Sequence, residues 1–377
     1  MGNVNNNRIF VTRSSIPTLE EYIEEIRPVF DNHILTNMGP VYQRFKDLCR
    51  EYLQVPELSL FVNGHLALEM CIQAMGLKQK GLELGGGEVI TTPFTFVSTA
   101  HAISRNNLRP VFCDINKDDY CIDADKIEEL ITDKTVAILP VHVYGNICDV
   151  EKIESIARKY DLKVIYDGAH SFGELYKGKA IGNYGDATMF SFHATKVFNT
   201  IEGGAVAFKN KDYCMPLHEL KNFGIHNEID IPAIGGNAKM NEFCAAMGIC
   251  NLRRIDGCIA ARKVIHDRYV ERLGEIDGIT LCKPKEGIVY NYSYFPIYVD
   301  PQRFGKSRDD IYDRLMKDEI YARKYFYPAV NELPGYADCK GLDTPVAYDV
   351  SRKILTLPIY RDLTLEEVDM ICDLILE

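Results

Sequence analysis

The chain has 377 residues with 46% hydrophobic and 26% charged side chains, globular proportions that exclude a fibre or a disordered segment. A formal net charge of -11 excludes a general nucleic-acid or membrane surface, although a local basic pocket for phosphates remains compatible with it. Twelve cysteines, none in a CxxC pair, read as reduced core residues of a cytoplasmic protein without a metal site.

The polar start Met1–Asn7 has no apolar signal core, and no run approaches transmembrane length. Thr18-Leu19-Glu20-Glu21-Tyr22 opens a helix with a Thr cap and an acidic first turn. The loop Ile34–Pro40 breaks the helical pattern before a second helix, Val41 to Tyr52. Leu58–Val62 reads as a strand, which Asn63-Gly64-His65-Leu66 turns into a helix continuing to Met75. A glycine at such a turn lets backbone N–H groups at the helix start face an anion. Gly85-Gly86-Gly87 precedes its strand and is a plain turn.

Strands follow at Glu88–Thr91, Arg109–Cys113, Ala137–Pro140, Lys163–Asp167, Ala187–Phe190 and Ala205–Phe208, which with Leu58–Val62 makes seven. Helical patterns over Asp123–Ile131 and Val150–Tyr160 fill gaps between them. Such alternation predicts an α/β fold whose mostly parallel sheet is covered on both faces. After a loop from Lys221 to Glu242, a long helix is expected to reach about Ile276. The rest, with an aromatic strand Val289–Val299, a helix Arg308–Glu319 and a last helix Thr364–Leu376, reads as a smaller α+β domain. The expected division is 1–250 for the large domain with its N-terminal helical segment, and 251–377 for the small one.

Two stretches carry chemistry. Lys163-Val164-Ile165-Tyr166-Asp167 is a buried strand ending in a carboxylate, followed at once by Gly168-Ala169-His170. Ser191-Phe192-His193-Ala194-Thr195-Lys196 lies in an irregular connection between two apolar strands and leads to Glu202-Gly203-Gly204. A lysine desolvated there becomes a nucleophile toward a carbonyl. A carboxylate such as Asp167 is what a pyridine ring needs to keep its nitrogen protonated and act as an electron sink.

These motifs resemble the sugar-nucleotide aminotransferases of the DegT/DnrJ/EryC1/StrS family, which have the aspartate aminotransferase fold, the pyridoxal-phosphate (PLP)-dependent fold type I. The resemblance implies that Lys196 binds pyridoxal 5'-phosphate covalently and moves protons. It implies cofactor contacts from Gly64, from the backbone of His65 and Leu66, from Phe96 against the ring, and from Asp167, His170 and Ser191. His65 stands where the family usually has a Thr. Asn237 would reach across a homodimer interface to the neighbouring subunit's phosphate, so that active sites are shared. Thr36, Asn37, His193, Arg323 and Tyr327 are the implied substrate contacts.

The implied reaction moves an amino group from L-glutamate to a nucleotide-linked ketosugar. The best match is dTDP-4-keto-6-deoxyglucose, giving dTDP-4-amino-4,6-dideoxyglucose for surface polysaccharide such as O-antigen. Alternatives are amination at C-3, a UDP-linked 4-ketosugar, a transaminase of small amino acids, and a non-catalytic regulatory or binding protein on the same fold.

Overall fold

The computed structural model describes residues 8–339 and 343–377. Seven short runs, buried along nearly their whole length, pair into one sheet: β1 (Glu57–Phe61), β2 (Glu88–Thr91), β3 (Arg109–Phe112), β4 (Thr135–Ile138), β5 (Lys163–Asp167), β6 (Ala187–Ser191) and β7 (Gly204–Phe208). Their order across the sheet is β1-β7-β6-β5-β4-β2-β3. β7 runs antiparallel to both β1 and β6, and every other pair is parallel. Parallel pairing needs a crossover, usually a helix. The connection between β6 and β7 holds no helix, so the chain returns antiparallel, and that connection carries Lys196. The expected α/β class with a mostly parallel sheet is therefore what the chain adopts.

The helix Gly64–Ala74 starts hard against the sheet. A Cβ on Gly204 would lie 2.6 Å from the Cα of Gly64, so this approach needs glycine on the β7 side. It brings the helix start beside the end of β6, where a Cβ on Gly64 would stand 3.0 Å from that of Ser191.

A second core forms around Ile265, Ile297, Leu315, Val368 and Ile371. Here β8 (Ile279–Leu281), β9 (Phe295–Val299) and β10 (Ile354–Leu357) make an antiparallel sheet with β9 in the middle. The short strand Ile9–Phe10 pairs with Ile320–Tyr321, and Ile9 joins this second core and not the first. Among the described residues no helix is long and apolar enough to cross a membrane.

Three expected elements differ. The long helix after Glu242 is two, Glu242–Leu252 and Ile255–Leu273, separated at Arg253 and Arg254, where the Arg254 guanidinium donates to the carbonyl of Ile16. The stretch Asp123–Ile131 holds only two 3-10 turns, with the Asp123 carboxylate accepting from the N–H of Asp125. In the aromatic segment only Ile288–Val289 and Phe295–Val299 are strands. Between them the side chains of Asn291 and Ser293 bond to the backbone of His170, so the segment is held by side chains where a ladder was expected.

Candidate active site

The loop from Phe192 to Gly203 is fixed by what it buries. Phe192 and Phe198 sink into an aromatic cluster with Phe172 and Phe45, the rings of Phe172 and Phe198 stacking at 4.2 Å. Phe192 N–H donates to Gly203 O (2.8 Å) and Thr200 N–H to Phe192 O (2.9 Å), which closes the loop on itself. Lys196 stands at its outer turn, half-buried, facing a cavity of about 350 Å3.

Of the residues singled out in the sequence, Gly64, His65, Phe96, Asp167, His170, Ser191, His193, Lys196 and Arg323 all line this one cavity. Asp167 closes β5 at its floor, 4% exposed. Its carboxylate accepts from Ala169 N–H (3.0 Å) and from the Thr99 hydroxyl (2.8 Å), which in turn meets Thr95 Oγ1 (3.0 Å). Burial raises its pKa, and those two donors with the positive charge of Lys196 oppose the rise. No cation forms an ion pair with it among the described residues.

His170 is equally buried. Its Nδ1 accepts from the Tyr144 backbone N–H (3.0 Å), which places the proton of the neutral ring on Nε2. Burial first, and then the charge of Lys196, holds its pKa well below the usual histidine value, so the ring stays neutral. Tyr294 meets it edge-on at 4.8 Å. His65 pairs its Nδ1 with Ser98 Oγ (2.9 Å), and burial lowers its pKa. His193 lies at the rim with Thr195 Oγ1 2.8 Å from its Nδ1.

Arg323 and Tyr325 complete the mouth from the second core's side, the guanidinium 5.3 Å from the Tyr325 ring centre. Phe96 faces Tyr325 at 6.4 Å and is 52% exposed, a free aromatic face at an opening.

Five residues stand elsewhere in the chain. Leu66 does not line the cavity, because its N–H is taken by the Asn63 side chain capping the helix (2.8 Å). Tyr327 is drawn aside between Arg308 and Arg352, whose guanidinium carbons lie 4.9 and 5.8 Å from its ring centre; Tyr325 takes the expected position. Thr36 is exposed and Asn37 lines a separate cavity of about 460 Å3. Their loop is held off by Glu242, whose carboxylate caps the next helix at Val41 N–H (2.8 Å) and whose N–H binds Leu35 O. Asn237 is exposed outside the cavity, its Oδ1 accepting from Lys239 Nζ (3.0 Å).

Thr99, Tyr144, Tyr294 and Tyr325 went unread in the sequence. Only Thr99 left a trace there, as a hydroxyl four residues after Thr95 on a helix entering beneath the sheet's edge.

The donor set suits a phosphorylated pyridine aldehyde. A buried carboxylate without a cation fits a protonated ring nitrogen, a neutral imidazole with its proton on Nε2 fits a ring oxygen, and a lysine amine shares the cavity. The helix start at Gly64 beside Ser191 fits a phosphate.

A sequence model of the DegT/DnrJ/EryC1/StrS aminotransferase family matches residues 18–376. A dTDP-4-amino-4,6-dideoxy-D-glucose transaminase of Shigella dysenteriae is 41% identical over 370 residues, covering 98% of each chain. Among solved structures, DesI in the presence of its TDP-sugar product superposes with a TM-score of 0.91 at 30% identity, over 98% of this chain and 92% of that one. The PLP form of a putative sugar aminotransferase, Spr1654 of Streptococcus pneumoniae, gives 0.87 at 27% identity over 97% of both.

Proposed function

The chain belongs to the DegT/DnrJ/EryC1/StrS aminotransferase family, whose members are PLP-dependent, and from that premise we propose that it aminates dTDP-4-keto-6-deoxyglucose at C-4 with L-glutamate as donor. The product is dTDP-4-amino-4,6-dideoxyglucose, a precursor for surface polysaccharide. The observation that carries the reading is the convergence of Lys196, Asp167 and a neutral His170 on one cavity, in a chain 41% identical to a transaminase of that name.

When bound, pyridoxal phosphate supplies an electron sink for the carbon that loses its proton. Asp167, buried and without a cationic partner among the described residues, would keep the ring nitrogen protonated. His170, with its proton on Nε2, would donate a hydrogen bond to the ring oxygen. Ser191 and the N–H groups at Gly64 and His65 would hold the phosphate, and Phe96 would lie against the ring. Lys196 Nζ takes the proton from the donor's α-carbon and later returns one to the sugar carbon that receives the amine. Arg323 pairs with the nucleotide diphosphate or with the donor carboxylate, which Arg does through a planar fork. Tyr325 and His193 flank the sugar.

The working unit in this reading is a homodimer with Asn237 contributed to the partner's site. The loop before it supports that reading, with Ile229, Ile231 and Ile234 exposed at 94%, 61% and 97%. The division at residue 250 into two domains, with Ile9–Phe10 crossing to the second, belongs to the same reading. Twelve free cysteines favour the cytoplasm.

The test is the visible absorption of the protein with pyridoxal phosphate. The band is expected to disappear with L-glutamate and to return with dTDP-4-keto-6-deoxyglucose, and NMR of the product to place nitrogen at C-4. A band indifferent to glutamate would sink the proposal, and nitrogen at C-3 would correct its regiochemistry.

A further inference from the structure

Asn291 and Ser293 belong to the irregular stretch that leads into β9, on the side of the second core, yet both reach the loop after β5. Asn291 Nδ2 donates to the carbonyls of His170 (2.8 Å) and Phe172 (3.0 Å). The Ser293 hydroxyl has the same His170 carbonyl and Asn291 Oδ1 (2.6 Å) both within reach of its one proton. The His170 carbonyl therefore lies within hydrogen-bond distance of two buried side chains.

The stretch is itself immobilised. The buried guanidinium of Arg262 donates from one nitrogen to the carbonyls of Tyr292 (3.3 Å), Ser293 (3.3 Å) and Ile359 (3.0 Å). Asn291 N–H donates to Glu174 Oε1 (3.2 Å), a carboxyl whose pKa burial raises well above the ordinary glutamate value. Tyr294, next in the chain, sets its ring against His170 and lies 5.8 Å from Lys196 Nζ. Of this network only His170 lines the cavity.

We propose that Asn291 and Ser293 are positioning residues for His170, clamping its carbonyl so that Nδ1 meets the Tyr144 N–H and the Nε2 proton is left for the cavity. A plain tie between the two halves of the molecule would need only some pair of hydrogen bonds across them. Here both side chains converge on the one residue whose ring orientation matters, and the third donor goes two residues further on. The inference rests on the cofactor role of His170 argued above.

The test is a double-mutant cycle on the holoenzyme reconstituted with pyridoxal phosphate, reading the pH midpoint of the colour change of the bound cofactor. His170→Gln is expected to move that midpoint. Ser293→Ala is expected to move it in the same direction by about 0.5 pH unit, and the double variant by no more than His170→Gln alone. The turnover of Ser293→Ala is expected to fall about tenfold with little change in KM for the ketosugar.

A melting temperature lowered without any movement of the midpoint, or shifts that add in the double variant, overturns the proposal. Asn291→Ala run in parallel carries the cycle if Ser293→Ala does not fold, and failure of both to fold marks the pair as structural and also overturns it. If wild type shows no visible band, the cofactor reading itself has failed. A band that His170→Gln leaves untouched removes the role of His170, and a band moved by His170→Gln alone removes the clamp.

Discussion

Lys221 is buried more deeply than Lys196, at 3% exposure, and its Nζ faces three acceptors, one for each proton of its ammonium form: Tyr42 Oη (2.9 Å), Ser59 Oγ (2.9 Å) and Leu60 O (3.1 Å). Lys196 is half-buried, and among the described residues its Nζ donates no hydrogen bond. Around Lys196 stand a carboxylate, a neutral imidazole and an open cavity. Around Lys221 stand two hydroxyls, a carbonyl and the charges of Lys46 and Lys239, with no carboxylate paired to it. On the proposed function, depth of burial therefore does not select the reactive amine. A donor left free beside groups that can take and return charge does, and an amine saturated by acceptors is a fastening.

The largest effect follows from exchanging these roles. Lys196→Ala is expected to lower the amino-transfer rate by about 10^4-fold or more, since it removes both the covalent anchor and the proton carrier. Lys221→Met is expected to keep turnover within about threefold while lowering the melting temperature, the usual signature of a lost buried network. Equal losses of turnover would break the comparison. Asp167→Asn, which leaves Lys196 in a cavity without its carboxylate, is expected to cost about 10^2 to 10^3 in kcat. Thr99→Val removes one of the two donors on that carboxylate and is expected to cost about tenfold, close to the worth of a single hydrogen bond to a charged group. Steady-state kinetics with the ketosugar and glutamate read all three losses.

The lysine proposed as reactive was legible because its signals are contiguous: Lys196 sits within a few residues of Ser191 and His193, between two apolar runs, and Asp167 closes another. Local sequence also exposes caps, as with Thr18. What stayed hidden is everything supplied from a distance. Tyr294 and Tyr325 come from the last third of the chain and fold back onto the first core, and Tyr144 acts through its backbone N–H, which has no sequence signature. Tyr327 was singled out in the sequence, whereas Tyr325 lines the cavity and Tyr327 lies between two arginines, a placement local sequence does not reveal. Leu66 lies off the cavity for a related reason, since counting its N–H in the anion cradle overlooked that the Asn63 side chain takes it. Lys221 read as the start of a loop, and its saturation depends on Tyr42, Ser59 and Leu60, more than 150 residues earlier in the chain.

The smallest effect concerns Lys221 and pH. Burial, aided by the charges of Lys46 and Lys239, lowers its pKa from 10.5 to about 7 in the folded chain. Between those values the unfolded chain holds a proton that the folded chain has released. Stability then rises with pH through this window, by up to about 1.4 kcal/mol per pH unit, and the cost of the buried charge is fully present below about pH 7. Lys221→Met carries no charge to bury, so its stability lacks this slope, while every other titrating group is common to both proteins. Urea unfolding from about pH 7 to about pH 9 is therefore expected to show wild type gaining on the variant by up to about 1.4 kcal/mol per unit. A difference that stays flat would mean that Lys221 remains charged throughout, its three acceptors outweighing the desolvation. The fastening would then be an ammonium and not an amine, and the contrast with Lys196 would rest on hydrogen bonding alone.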